Sequence, residues 1–289
     1  MRFTLMTGLG GVEHYPALAR AAEEAGWTSF AIPDSLFYPE FTASDYPYMS
    51  TEAVRQALDG MPVLEPFVAM ASLVAVTERL RFFPAVMKVP VRQPLVLAKA
   101  LSSLAVISNN RVSLGAGLSP WREDFEYNGV DFDSRGALMD DCLAIIRGAM
   151  SGEYFEYHND NFDIGKMKLS PAPSESVPIL IGGHAKPALR RAARIGDGWI
   201  SANSDYDTLA RLIDDLQMLR RDYGTDSRDD FEIHAFDMTA RAVEDYQRLA
   251  ALGVTDISVT PWNPADPGVT ESAKIDGLQK FAKHVIEPF

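Results

Sequence analysis

Five histidines, one cysteine and a few glycine clusters bound the chemistry open to this 289-residue chain. His14, His158, His184, His234 and His284 never stand at H-x-H or H-x-x-x-H spacing, so local sequence pairs none of them on a metal. Convergence in space stays open, which keeps a metal-dependent hydrolase as one reading. The lone Cys142 excludes an internal disulfide and a cysteine zinc cage. Gly8-Leu9-Gly10-Gly11 lies between an apolar run and a helical pattern, as a dinucleotide loop would. The third glycine of G-x-G-x-x-G, however, falls on Glu13, which sets a carboxylate against a pyrophosphate. Neither a G-x-x-x-x-G-K-[ST] nor a G-x-S-x-G pattern occurs. The most informative segment runs from Pro178 to Pro187: an apolar strand, then Gly182-Gly183-His184, then a helix with proline in its first turn. Backbone amides at such a junction, with a helix dipole behind them, suit an anion. The plainer reading of Gly182-Gly183 is a tight turn that needs positive φ.

These residues need a scaffold, and the periodicity supplies one. Continuous apolar runs at Arg2–Thr7, Ser29–Pro33, Leu80–Val86, Arg111–Ala116, Val177–Ile181, Gly198–Ala202, Phe231–Phe236 and Asp256–Thr260 predict strands buried on both faces of a parallel sheet. Amphipathic stretches predict helices over His14–Ala25, Pro66–Thr77, Pro94–Ile107, Ser134–Met150, Pro187–Ile195, Tyr206–Tyr223, Ala242–Leu252 and Ser272–Ile286. Gly26, Gly196 and Gly253 punctuate helix ends, and Asp133 or Ser134 can cap the fourth helix. Eight strands each followed by a helix is the count of a (β/α)8 TIM barrel, an α/β fold, in one domain spanning residues 1–289. The surplus length marks insertions after strands 2 and 4, at about 36–65, 117–133 and 152–176; Asn159-Asp160-Asn161 predicts a small hairpin in the last. Barrel sites are built from loops at the strand C-terminal ends, so the first two insertions are the site-forming ones.

Composition narrows the function classes. With 47% hydrophobic residues the chain has an ordinary globular core, and 27 Lys and Arg against 40 Asp and Glu leave a net charge of −13. That sign argues against nucleic acid and anionic membranes as partners. The start lacks a signal-peptide pattern, and the longest apolar stretch, Pro66 to Thr77, is too short for a bilayer. The expectation is a cytoplasmic protein acting on a small molecule.

An ordered series of short motifs carries a family resemblance. It runs through Glu24-Ala25-Gly26-Trp27 and Pro33-Asp34, Thr77-Glu78-Arg79-Leu80, then Val86, Pro90, Arg92 and Pro94, and Ala98-Lys99. It continues with Asn110-Arg111-Val112, Leu114-Gly115-Ala116-Gly117, Trp121, Glu123-Asp124-Phe125, Arg135-Gly136, Pro178-Ile179 and Gly182-Gly183. Arg190-Arg191-Ala192-Ala193 and Gly196-Asp197-Gly198-Trp199 complete it, over roughly two thirds of the chain. The chain thereby resembles the luciferase-like monooxygenase family, within it the deazaflavin (coenzyme F420)-dependent oxidoreductase branch.

The resemblance implies a barrel that holds coenzyme F420, or FMN as the alternative, at its C-terminal mouth. It implies that Asp34 and Ser35 lie beside the ring, and that Ala85, Val86 and Met87 form a strand-three bulge behind it, often with a non-prolyl cis peptide. Leu118 and Ser119 would end strand four, and Gly182, Gly183 and His184 would form the phosphate loop. Phe37, Tyr38, Phe41, Tyr46 and Tyr48 would wall the substrate pocket, unless they only pack the insertion onto the barrel. The chain departs from the sugar-phosphate dehydrogenases of the family, which have a histidine where Ser35 stands and a glutamate where Pro120 stands. His14, Glu123, Asp124 and His184 are the nearby replacements; the catalytic set is His184, Ser35 and Glu123, with no metal. His184 leads because a histidine beside a phosphate or ring titrates near neutrality, and Ser35 can hydrogen-bond substrate or ring without acting as a base. The expected activity is hydride transfer between coenzyme F420 and a small organic substrate. The alternatives are an FMN-dependent monooxygenase and a non-catalytic deazaflavin-binding barrel. The resemblance also implies a homodimer, with Met70, Leu73, Leu97 and Leu101 on helices two and three as candidates for its surface, although barrel packing explains those residues equally well.

Overall fold

Alternate residues of each barrel strand meet different surroundings, and the burial pattern separates them. Phe3, Leu5, Phe30, Ile32, Phe82, Leu114, Ile181 and Ile257 pack with the helices in one large apolar cluster. Ala31, Phe83, Leu180 and Ile200 form a second, smaller cluster with Met6, Ala85 and Val86, which is the barrel interior. The computed structural model describes residues 1–8, 10–42, 44–47, 50–237, 239–264, 266 and 268–289.

The strands are β1 (Arg2–Met6), β2 (Ser29–Ile32), β3 (Arg81–Pro84), β4 (Met87–Lys88), β5 (Leu114–Gly117), β6 (Phe155–His158), β7 (Asp163–Met167), β8 (Ile179–Gly182), β9 (Gly198–Ser204), β10 (Glu232–Asp237) and β11 (Asp256–Val259). Nine of them form one sheet in the order β3-β2-β1-β11-β10-β9-β8-β5-β4, with parallel pairing throughout. β3 and β4 are two halves of one barrel strand, interrupted at Ala85-Val86, whose peptide is cis. The Phe82–Val112 bridge and the β4–β5 pairing close the ring. The result is the (β/α)8 barrel that the strand count predicts.

The helices are α1 (Tyr15–Glu24), α2 (Thr51–Leu58), α3 (Pro66–Val74), α4 (Pro94–Ile107), α5 (Arg122–Glu126), α6 (Arg135–Ala149), α7 (Lys186–Ile195), α8 (Tyr206–Tyr223), α9 (Val243–Ala251) and α10 (Glu271–Phe281). The final predicted helix is shorter than its pattern, because a π-helical turn takes over at Ala282–Ile286. The insertions are structured: α2 lies in the first, α5 in the second, and β6 and β7 pair antiparallel around the Asn159 turn.

Three local expectations need correction. Gly196 ends its helix at φ −77° rather than in the left-handed region; it is required for room, since a Cβ would lie 2.8 Å from the Ala192 carbonyl. Neither Asp133 nor Ser134 caps α6 with its side chain. Asp131 instead accepts from the amides of both. Met70, Leu73, Leu97 and Leu101 are core residues, as barrel packing would have them, and the exposed large apolar side chains on α3 and α4 are Val68, Val96, Val106 and Ile107. The hydrophobic periodicity marked the inner face of these helices.

Charged side chains close the N-terminal end of the barrel. Arg2 binds Asp256 through Nε (2.8 Å) and Nη2 (2.6 Å) and reaches Glu232 at 2.7 Å. Arg81 lies 3.2 Å from Glu232, and His234 Nε2 lies 2.8 Å from the same carboxylate. Burial alone would raise the Glu232 pKa. The His234 hydrogen bond and charge, with Arg81 and Arg2, outweigh it and hold the carboxyl far below the usual range. The unfolded chain binds that proton near pH 4.3 and the folded chain only in stronger acid, so this stabilisation is complete above about pH 4.3 and fades as pH falls below it. Glu232→Gln should therefore lower stability at neutral pH and flatten its decline between about pH 5 and pH 3, as denaturant titrations across that range would measure.

Candidate functional site

Asp34 leaves the end of β2 with no side-chain exposure and receives a two-pronged bond from Arg92, at 2.7 and 2.8 Å. The Lys88 amide donates to the same carboxylate at 2.8 Å, and Arg92 also binds the Lys88 carbonyl. Arg92 follows a short 3-10 turn over Val89–Val91, so the pair ties β2 to both ends of the segment behind the strand-three bulge. Arg92 is thus a rim ion pair, and Asp34 has spent both oxygens on it.

The bulge turns Val86 onto the mouth. A Cβ on Gly182 would come within 2.8 Å of the Val86 side chain, and one on Gly117 would overlap it. Glycines at the ends of β5 and β8 therefore make the room that Val86 and its cis peptide occupy. Met87 faces the other way, fully buried in the helix-facing cluster.

Beside this platform lies a cavity of about 370 Å³, bordered by Leu118, Gly182, Gly183, the start of α7, Arg135 and Arg191. Arg191 is held by Asp140 at 2.6 Å and by the Gly136 carbonyl at 2.8 Å. Arg135 lies 3.7 Å over the Phe132 ring. Two guanidiniums and a helix start around paired glycines suit a phosphate, although Asp133 also lines the cavity. Gly183 has φ +119°, which excludes most side chains. Its amide is not directed at the cavity, as the sequence suggested, because it donates to Ile200 at 3.2 Å. Trp199, fully buried, holds the Gly183 carbonyl at 2.8 Å, a packing and positioning role.

The candidate acid–base groups separate by environment. The Ala202 amide donates to His184 Nε2 at 2.9 Å, so that lone pair is taken. Burial, with the Arg211 charge adding to it, holds the His184 ring below the ordinary histidine pKa. A neutral ring anchored to β9 fits positioning better than proton transfer. The Ser35 hydroxyl is 3.3 Å from the Phe37 carbonyl, within its own turn. Glu123 is buried in α5 and accepts from the Thr42 hydroxyl at 2.8 Å. Its neighbour Asp124 accepts from Lys88 Nζ at 2.6 Å and from the Ser119 hydroxyl.

Of the insertion aromatics, Phe37 stacks on Tyr127 with centroids 5.5 Å apart, and Arg55 lies over Tyr38; Tyr48 is outside the described residues. Lys88, Arg135 and Arg191 were not singled out as site residues by sequence reasoning. Lys88 has one legible signal, its position directly after the bulge. Arg135 and Arg191 are helical residues whose facing depends on how α6 and α7 dock. Among the described residues the grouping suited to a metal, Glu232, His234 and Asp256, lies at the opposite end and already meets two guanidiniums.

A family model described as luciferase-like monooxygenase matches residues 2–255. An uncharacterised protein of Mycobacterium tuberculosis is 45% identical over 289 residues, covering 99% of each chain. An FMNH2-dependent dimethylsulfone monooxygenase of Pseudomonas fluorescens is 23% identical over 211 residues, 72% of this chain and 52% of that one. Among solved structures, the coenzyme F420-dependent tetrahydromethanopterin reductase of Methanopyrus kandleri superposes with a TM-score of 0.75 at 14% identity, covering 100% and 99% of the two chains.

The geometry of Asp34 yields a direct test. Arg92→Met leaves a fully buried carboxylate without its cation and should cost about 3–5 kcal/mol. Urea unfolding measures the loss, and adding Asp34→Leu should recover much of it, because the stranded charge is then gone.

Proposed function

The chain belongs to the luciferase-like monooxygenase family, and on that premise we propose that it is a cytoplasmic oxidoreductase that uses coenzyme F420 to reduce or oxidise a small organic substrate. One observation carries the reading: the cavity at Gly182-Gly183, with Arg135 and Arg191, adjoins the platform that Val86 forms over Gly117 and Gly182. A cavity bordered by two guanidiniums beside the apolar Val86 side chain fits a phosphorylated ring cofactor. The described helices include none long and apolar enough to cross a membrane, and the full-length likeness to an F420-dependent reductase supports the choice of cofactor.

When bound, the deazaflavin supplies the ring carbon that gives or takes the hydride. The protein's part is position and proton management. Arg135, Arg191 and the α7 start would hold the phosphate, and Ala85 and Val86 would back the ring, with Met87 contributing through its main chain. Asp34 would act through Arg92 by keeping the bulge in place. Leu118, Ser119 and Ser35 would line the approach. Glu123, a buried carboxyl with a hydroxyl donor, replaces His184 as the group to hold or release a proton, while His184 would steady the phosphate loop.

FMN remains the second reading, favoured by the Pseudomonas fluorescens monooxygenase among the relatives. Equilibrium titration of the purified protein with coenzyme F420 and with FMN, followed by absorbance, decides between them. The expected result is tight binding of the deazaflavin, and Gly183→Val should weaken it, because a backbone at φ +119° does not admit a β-branched residue and the loop bordering the cavity would have to shift. Equal binding by a folded Gly183→Val protein would remove the phosphate assignment.

We further propose a homodimer through α3 and α4, where Val68 and Val96 are each 68% exposed. The double variant Val68→Asp, Val96→Asp should run as a monomer in light scattering where the parent runs as a dimer.

A further inference from the structure

Lys274 stands in the first turn of α10 and retains only 8% of its surface. Its Nζ lies 3.2 Å from His14 Nδ1 and 5.8 Å from the centre of the Trp262 ring. None of the described carboxylates forms an ion pair with it. Gly11 lies directly beneath, and a Cβ there would overlap Nζ. The position is a poor one for a cation: a desolvated ammonium is costly, and a helix N-terminus repels positive charge. In a chain with 40 acidic residues, a buried lysine that meets an imidazole instead of a carboxylate calls for a partner from outside.

We propose that Lys274 and His14 form a receptor for a carboxylate group on the substrate. Used as a substrate subsite, it rests on the oxidoreductase reading above. His14 follows β1 and Trp262 follows β11, two strands paired in the barrel, so both groups belong to the C-terminal mouth. His14 keeps 20% of its side chain exposed, which gives a ligand an approach. On the far side of the ring, Nε2 lies 3.5 Å from Glu13. With Nε2–H turned to Glu13, Nδ1 accepts from the ammonium and leaves the other ammonium protons for a ligand oxygen. The chemistry favours a single negative charge. One point-charge ammonium balances a carboxylate, whereas a phosphate dianion would want a second cation or an arginine fork. The Trp262 face supplies an apolar wall for the carbon skeleton.

The test uses purified full-length protein without cofactor, with acetate, succinate and inorganic phosphate as probes in calorimetric titration and thermal shift. Acetate or succinate should bind more tightly than phosphate, and Lys274→Met should weaken carboxylate binding at least tenfold. The ligand-free melting temperature of Lys274→Met should hold or rise, because an uncompensated buried charge has been replaced by an apolar chain of similar length. Binding that survives Lys274→Met, a preference for phosphate, or no binding of any probe would each overturn the proposal. So would a large fall in melting temperature, which would make Lys274 a structural strut. Coenzyme F420 titration of the same two proteins keeps the readings apart. Loss of carboxylate binding with cofactor binding intact bears on this subsite alone, while a parent protein that binds carboxylate and no cofactor sinks the oxidoreductase reading and leaves the anion site standing.

Discussion

A carboxylate with no access to water organises the mouth of this barrel. Asp34 is held by both prongs of Arg92 and by the Lys88 amide, and these bonds join the end of β2 to the broken third strand. Removing a charged group from water costs several kcal/mol, which only good geometry and full hydrogen bonding repay. The geometry here is two-pronged, and a backbone amide donates a third hydrogen bond to the carboxylate. From that anchor the other positions follow. The bulge turns Val86 over Gly117 and Gly182. Lys88 is set within reach of Asp124, and Asp124 in turn collects the Ser119 hydroxyl. The site residues thus hang on a pair that need never touch a substrate.

The barrel was legible because its signals are local. Continuous apolar strands and amphipathic helices recur at the spacing of one βα unit, and each reports only its own surroundings. The mouth was less legible for a matching reason. Gly182 and Gly183 are recognisable beside a strand, yet the direction of the Gly183 amide depends on its pairing with Ile200 in another strand. His184 reads as an available base until Ala202, eighteen residues on, is seen to donate to it. Arg191 and Lys274 look like ordinary helix cations in sequence. Only docking of α7 against α6, and of α10 against the β1 loop, gives them burial and partners. Apolar periodicity likewise shows which face of α3 is inside, and leaves Val68 to be found by exposure.

The two ends of the barrel use the same residue types in opposite ways. At the N-terminal end Arg2 and Arg81 meet Glu232 and Asp256, and His234 completes the set. Each guanidinium there has a carboxylate, so the cluster is complete as a structural element. At the C-terminal end Arg92 and Lys88 have Asp34 and Asp124, but the balance around them is looser. Arg135 lies over an aromatic ring, Arg191 shares Asp140 with Arg194, and Lys274 has a histidine.

That asymmetry bears on function through the overall charge. A chain at −13 offers a surplus of carboxylates, so leaving a cation without one is the harder arrangement to reach by chance. It also carries a running cost, because desolvation is paid and the pairing energy is not returned. Two cations of this kind lie at the same mouth, Arg135 beside the paired glycines and Lys274 between the first and last βα loops. A ligand with a phosphate at one end would recover the cost at the first, and a carboxylate would recover it at the second. The acidic remainder of the surface would repel both anions everywhere else. Binding energy would therefore concentrate at the two points that fix a cofactor and a substrate relative to each other, which is the positioning that hydride transfer requires.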